Sequence, residues 1–185
     1  MDIEEIFDII CQHFITKKEY FEIFGHQEHL SAMEGWIRGE IVWLMHQSPL
    51  KEQDIFIATG KGIKPGIKSR RPDLQLKIHG DIIFVELKAL VIDPKSYTWD
   101  FIVIRQLVAE FNSLSSMKNE NNSSWFISFT YSLTETHDWE HIVDQAIKNK
   151  KIDLNNYSVK NIKNFAFDIG DNKQCLISLF GLHQP

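Results

Sequence analysis

The chain has 185 residues, enough to bury a substantial core, and this length predicts a single domain spanning residues 1–185. Its composition, with 43% hydrophobic and 24% charged residues and a net charge of −5, is typical of a globular protein and excludes a disordered chain. No apolar run approaches the roughly 18 residues that would cross a bilayer. Because the acidic N-terminus is also unlike a secretory signal and the only cysteines, Cys11 and Cys175, are far apart, we expect a cytoplasmic protein with free core thiols.

Hydrophobic periodicity predicts helices and strands that alternate along the chain. Apolar residues at helical spacing predict helices over residues 2–15, 31–46, 101–114 and 139–148. The second helix should begin with a capping box formed by Ser31 and Glu34. Runs rich in β-formers predict strands at residues 55–59, 74–78, 82–87, 125–131, 165–169 and 174–180. This order indicates an α/β fold with a mixed β-sheet flanked by helices, and a right-handed crossover from the third strand to the fourth.

Two neighbouring strands should form a hairpin that carries charged residues on one face. Side chains alternate between the two faces of a strand, so Asp73 falls on the polar face of the first strand. If residues 79–80 form the turn, Asp73 lies opposite Glu86, and if residues 80–81 form it, Asp73 lies opposite Lys88. Both registers bring the three charged residues to the same face of the sheet.

These three charges have the chemistry of a divalent-cation site. Directly opposed side chains have Cβ atoms about 5 Å apart, so Asp73 and Glu86 should repel unless a cation lies between them. Magnesium prefers oxygen ligands and keeps several waters, so two carboxylates are a sufficient protein contribution. Lys88 beside them would orient or help to deprotonate a metal-bound water. The alternative is an ordinary hairpin with opposed charges, because Asp171 and Lys173 repeat the acid-x-Lys spacing in a predicted turn.

An acidic residue on the helix over residues 31–46 extends the predicted site. Glu40 falls within an apolar stripe that consists of Met33, Trp36, Ile37, Ile41 and Leu44. A carboxylate in such a stripe is costly unless it is paired or bound to a metal. Glu40 is therefore a candidate metal ligand, although a position at the solvated rim or a bond to a buried arginine would also explain it.

The hairpin resembles the motif of the PD-(D/E)XK nuclease superfamily, the fold of many restriction endonucleases. Pro72-Asp73 is followed thirteen residues later by Glu86-Leu87-Lys88, and the likeness, which includes the flanking helices, covers roughly residues 31–131. The resemblance implies a restriction endonuclease-like fold that cleaves phosphodiester bonds with Mg²⁺, for which Mn²⁺ would substitute. It implies that Asp73, Glu86, the Leu87 carbonyl and Glu40 hold the metal. Lys88 would then position the attacking water, and no subfamily is implied.

A basic segment that leads into Asp73 indicates a nucleic-acid partner, and we expect DNA rather than RNA. Five cations and no acid lie between residues 61 and 71, namely Lys61, Lys64, Lys68, Arg70 and Arg71. Such residues hold a phosphate backbone by charge without reading its sequence, and a solvated loop is the alternative. Arg105 and Gln106 on the following helix are further candidates for contact with phosphate. A homodimer is a reasonable hypothesis, because cutting both strands of a duplex needs two sites.

Two other functions stay open at this point. His137, Glu140 and His141 have the H-x-x-E-H spacing of one class of zinc peptidase. Both histidines fall opposite the apolar face of the helix over residues 139–148, where solvated side chains are expected. The second alternative is a non-catalytic nucleic-acid-binding module on the same fold, against which the complete set of Asp, Glu and Lys speaks.

Overall fold

The fold consists of helices that precede and interrupt a set of β-strands. The computed structural model describes residues 2–24, 30–47, 72–78, 80–91, 99–117, 122–133, 138–149 and 157–183. Within these ranges the helices are α1 (Ile3–Ile15), α2 (Lys18–Phe24), α3 (Leu30–Met45), α4 (Trp99–Met117) and α5 (Trp139–Ile147). The strands are β1 (Leu74–Ile78), β2 (Asp81–Val91), β3 (Asn122–Leu133), β4 (Ser158–Gly170) and β5 (Lys173–His183).

The strands form one mixed sheet in the order β1-β2-β3-β5-β4. β1 and β2 are an antiparallel hairpin, and β5 pairs in antiparallel fashion with both β3 and β4. β2 and β3 are parallel, so the chain must cross the sheet between them, and α4 lies in that connection. The predicted α/β fold with a mixed sheet flanked by helices is confirmed.

Helices cover both faces of the sheet and bury alternate residues of its strands. Residues of α1, α2 and α3 pack in one apolar cluster with Val85 and Leu87 of β2. Residues of α4 and α5 form a second cluster with Phe84 on the opposite face. Since neighbouring residues of a strand point to opposite faces, the Glu86 side chain points towards α4, where Ser113 contacts it. Lys88 lies beyond the end of β1, and its ammonium group reaches α3.

The predicted elements differ from the observed ones mainly where the sequence pattern is short or polar. α2 was not predicted, because its seven residues are too few to show a helical period. β4 begins well before the predicted range of 165–169, in a polar stretch where a register shift occurs between Asn161 and Lys163. The predicted strand at residues 55–59 lies outside the described residues.

Cys11 and Cys175 are buried free thiols, as predicted. Burial and the charge of Asp8 raise the pKa of Cys11 to about 12, so its reactive thiolate does not form at neutral pH. In the described part of the chain, the helices are too short or too polar to cross a membrane.

Candidate active site

The β1–β2 hairpin sets the positions of the candidate catalytic residues. Ile78 pairs with Asp81, so the turn is the two-residue loop that contains Gly80. Gly80 has a φ of 95°, a conformation that glycine adopts without the strain of a side chain. Continued by one residue beyond β1, the same register places Asp73 opposite Glu86. Of the two predicted registers, the one with the turn at residues 79–80 is therefore the observed one.

The Asp73 carboxylate is fixed against the strand edge where β1 begins. Its Oδ2 accepts a hydrogen bond of 2.9 Å from the backbone N–H of Leu87. The N–H and C=O of one residue point to the same side of a strand, so the Leu87 carbonyl is directed to this edge as well. Asp73 and the Leu87 carbonyl, two of the groups that the resemblance assigns to a metal, thus share one edge of the sheet.

Glu86 lies in the interior, between the hairpin and α4. Only 7% of its surface is exposed, and its Oε1 accepts a hydrogen bond of 3.1 Å from the Ser113 hydroxyl. Burial, a hydrogen bond with Asp73 and the charges of Asp73 and Glu110 together raise the pKa of Glu86 to about 8, against the lowering effect of Ser113. At neutral pH, without a bound cation, Glu86 therefore holds a proton.

Lys88 is held by an acidic residue of α3. Its Nζ donates a hydrogen bond of 2.9 Å to Oε2 of Glu34, and its side chain is 27% exposed. Burial lowers the pKa of Lys88, but the hydrogen bond that Lys88 donates to Glu34 and the charges of Glu34, Glu110 and Asp73 raise it by more. The net pKa is above the ordinary value of 10.5, so Lys88 is a cation at neutral pH.

The acid that α3 contributes to this group is Glu34, and the structure does not bring Glu40 there. Glu34 and Arg38 are one turn apart, and Arg38 donates a hydrogen bond of 3.2 Å to Asp73 Oδ1. Glu40 is two residues beyond Arg38, about 200° further round the helix. Its Oε2 lies 2.7 Å from His13 Nε2 on α1.

The sequence contained weak signals for the residues that were missed. Glu34 was assigned to a capping box with Ser31, whose side chain lies outside the described residues. Glu34 and Arg38 are four residues apart beside the apolar stripe of α3, a spacing that indicates two charged residues on the same side of the helix. Ser113 and Glu110 are three apart on α4 and so share one side of it, but neither residue type alone suggests a site.

The other candidates lie on α4 and α5 or outside the described residues. Gln106 is half-buried one turn before Glu110, on the line of α4 that meets the site, whereas Arg105 is exposed. Glu140 and His141 are exposed on α5, whereas a zinc peptidase would hold its metal in a buried cleft. The candidates that fall outside the described residues are His137, Lys61, Lys64, Lys68, Arg70 and Arg71.

The donor groups fit a magnesium ion that keeps most of its waters. Among the described residues, no three His, Cys, Asp or Glu side chains are grouped closely enough to hold a metal by themselves. Magnesium is commonly held by one or two carboxylates with water, and here Asp73 and Glu86 are such a pair. The proton that the raised pKa keeps on buried Glu86, opposite Asp73, is one that a divalent cation can replace.

The comparisons with known proteins add no relative to this description. No protein-family model, no curated protein and no solved structure matches the chain. The likeness to the PD-(D/E)XK nucleases therefore depends on the motif residues and on the hairpin that carries them.

The raised pKa of Glu86 predicts that the protein loses stability as the pH rises. The unfolded chain releases this proton near pH 4.5 and the folded protein near pH 8, so the free energy of unfolding should fall between these values. Glu86→Gln should match the wild type near pH 4.5 and exceed it by roughly 2–5 kcal/mol at pH 9. Urea denaturation in EDTA at several pH values measures this difference.

The matched control is Glu140→Gln, which changes an exposed glutamate of α5. Its free energy of unfolding should follow that of the wild type at every pH. A constant difference between Glu86→Gln and the wild type from pH 4.5 to pH 9 would contradict the raised pKa of Glu86.

Proposed function

We propose that this protein is a Mg²⁺-dependent nuclease that hydrolyses phosphodiester bonds in DNA, on a restriction endonuclease-like fold. The observation that carries the proposal is the facing pair of carboxyl groups of buried Glu86 and partly exposed Asp73, with the cation of Lys88 two residues beyond Glu86 on β2. An ordinary surface hairpin would not bury a glutamate opposite a second acid, because the desolvation of a carboxylate costs free energy. A divalent cation bound between the two carboxyl groups would offset that cost.

Each residue has a role that its contacts allow. Asp73, Glu86 and the Leu87 carbonyl would hold Mg²⁺, and the Leu87 N–H fixes the Asp73 carboxylate for that purpose. When bound, the metal would lower the pKa of the attacking water and offset the charge on the phosphate. Lys88 would hold that water or donate to a phosphate oxygen, and Glu34 keeps the Lys88 ammonium in place.

The substrate class is proposed from the chain around the site. The basic segment of residues 61–71 ends two residues before Asp73, so its positive charges would attract a polyanion to the site. A homodimer that cuts both strands of a duplex and a cytoplasmic location belong to the same proposal. Arg105 and Gln106 on α4 are further candidates for contact with phosphate or water.

Cleavage assays with the wild type and Asp73→Asn test the proposal. Plasmid, linear duplex, single-stranded DNA and RNA are incubated with Mg²⁺, Mn²⁺ or EDTA. We expect the wild type to cut DNA with either metal and not in EDTA, and Asp73→Asn to be slower by roughly a hundredfold or more. Asp144→Asn, which changes an exposed acid on α5, is the matched control and should cut at the wild-type rate.

Absence of cleavage of all four substrates by the wild type would reject the nuclease. A gel-shift measurement on the same preparations then tests whether the protein binds DNA without cutting it. DNA that is bound but never cut would favour a non-catalytic binding module.

A further inference from the structure

Arg38 binds the acidic pair from the solvent side. Its Nη1 donates to Asp73 Oδ1 at 3.2 Å, and 48% of its side chain is exposed. The other Asp73 oxygen accepts the backbone N–H of Leu87. Arg38 therefore occupies the oxygen of Asp73 that the backbone of β2 leaves available.

A metal on Asp73 and the guanidinium of Arg38 would compete. Both carry positive charge, and two cations on one carboxylate group repel strongly at such short distances. The Arg38 pair is also the weaker of the two ion pairs between α3 and the hairpin. Its distance is longer than the 2.9 Å between Lys88 and Glu34, and Arg38 is more exposed than Lys88. Exposed pairs of this kind contribute little free energy and exchange readily.

We propose that Arg38 is a partner-exchanging residue, which neutralises Asp73 in the free protein and moves to a phosphate of the nucleic acid when metal and substrate bind. This inference rests on the proposed nuclease function. A guanidinium has a planar set of donors that matches two phosphate oxygens, and here it already lies at the candidate metal site. The long, half-exposed side chain leaves Asp73 without a change in α3.

The exchange has an unusual signature, because loss of the Arg38 charge should affect metal and substrate in opposite directions. Arg38→Gln removes the competing charge, so the protein without nucleic acid should bind Mn²⁺ roughly threefold to tenfold more tightly. The same variant lacks the phosphate contact, so its KM for DNA with saturating Mg²⁺ should rise roughly threefold to tenfold while kcat changes little. Arg38→Lys keeps the charge and should stay close to the wild type in Mn²⁺ affinity, with an intermediate KM.

Mn²⁺ binding is followed through the electron paramagnetic resonance signal of the free ion, and KM through initial cleavage rates. The matched control is Lys163→Gln, which breaks an exposed ion pair with Asp8 at the opposite edge of the sheet and should change neither quantity. Equal or weaker Mn²⁺ binding by Arg38→Gln, or an unchanged KM, would overturn the exchange. Failure of the wild type itself to bind Mn²⁺ would instead overturn the proposed function, and the inference with it.

Discussion

Lys88→Met is expected to reduce the rate of Mg²⁺-dependent DNA cleavage by roughly a hundredfold or more. Methionine keeps the unbranched apolar stem of the lysine and removes only the ammonium group. That group reaches α3, with its Nζ 2.9 Å from Glu34 Oε2. Stability should change by at most about 1 kcal/mol, since both partners are partly exposed. Single-turnover cleavage rates and urea denaturation of the same preparation separate these two effects.

The role of Glu34 follows from a double-mutant comparison. If Glu34 acts by holding Lys88, Glu34→Gln alone should slow cleavage by less than Lys88→Met does. Added to Lys88→Met, it should slow cleavage no further, because the side chain that it orients is already absent. Lys148→Met, at an exposed lysine of α5, is the control for loss of a positive charge and should leave the rate unchanged. Cleavage by Lys88→Met at the wild-type rate would remove Lys88 from the proposed site.

The sequence predicted the hairpin because its determinants are local. The alternation of apolar and polar residues fixes which side chains share a face, and a two-residue turn limits the possible registers to a few. Both registers that were considered place Asp73 with Glu86 and Lys88, so the grouping did not depend on the choice between them. The observed pairing of Ile78 with Asp81 decides only which acid lies directly opposite Asp73.

The contribution of α3 could not be predicted in the same way. Polar residues flank the apolar stripe of α3 on both sides, and the pattern alone does not tell which side meets the hairpin. That depends on how α3 packs beside α1 on the sheet, which is a property of the tertiary structure. Glu40 lies on the side of α3 that faces α1, where its carboxylate pairs with His13. The sequence indicated a solvated position or a buried arginine for Glu40, and not a histidine.

Polar elements were also hard to predict. The first half of β4 lacks a regular alternation of apolar residues, and the register shift between Asn161 and Lys163 reverses the face of each later residue. Its backbone is nevertheless paired because β5 supplies the hydrogen bonds along the whole strand. Strands of this kind are defined by their neighbour rather than by their own sequence.

Phe14→Ala is expected to lower the free energy of unfolding by roughly 3–5 kcal/mol. Phe14 is fully buried on α1, and its ring lies 4.9 Å from that of Phe129 on β3, centroid to centroid. It also contacts the rings of Phe21 on α2 and Trp36 on α3 in edge-to-face geometry. Alanine would leave a cavity where three helices meet the sheet, and the whole domain has only about 5–15 kcal/mol of stability. Urea denaturation at a fixed pH measures the loss.

Ile15→Ala is the matched control, because Ile15 is the next residue on the same helix and is 37% exposed. Its loss should stay below about 1 kcal/mol, and Phe14→Leu, which keeps most of the volume, should fall between the two variants. Trp36 lies between Glu34 and Arg38 on α3, so the ring of Phe14 helps to hold the helix that meets Asp73 and Lys88. If Phe14→Ala were as stable as the wild type, the described packing of α1 and α3 on the sheet would be wrong. The positions of Glu34 and Arg38 at the candidate site would then lose their physical basis.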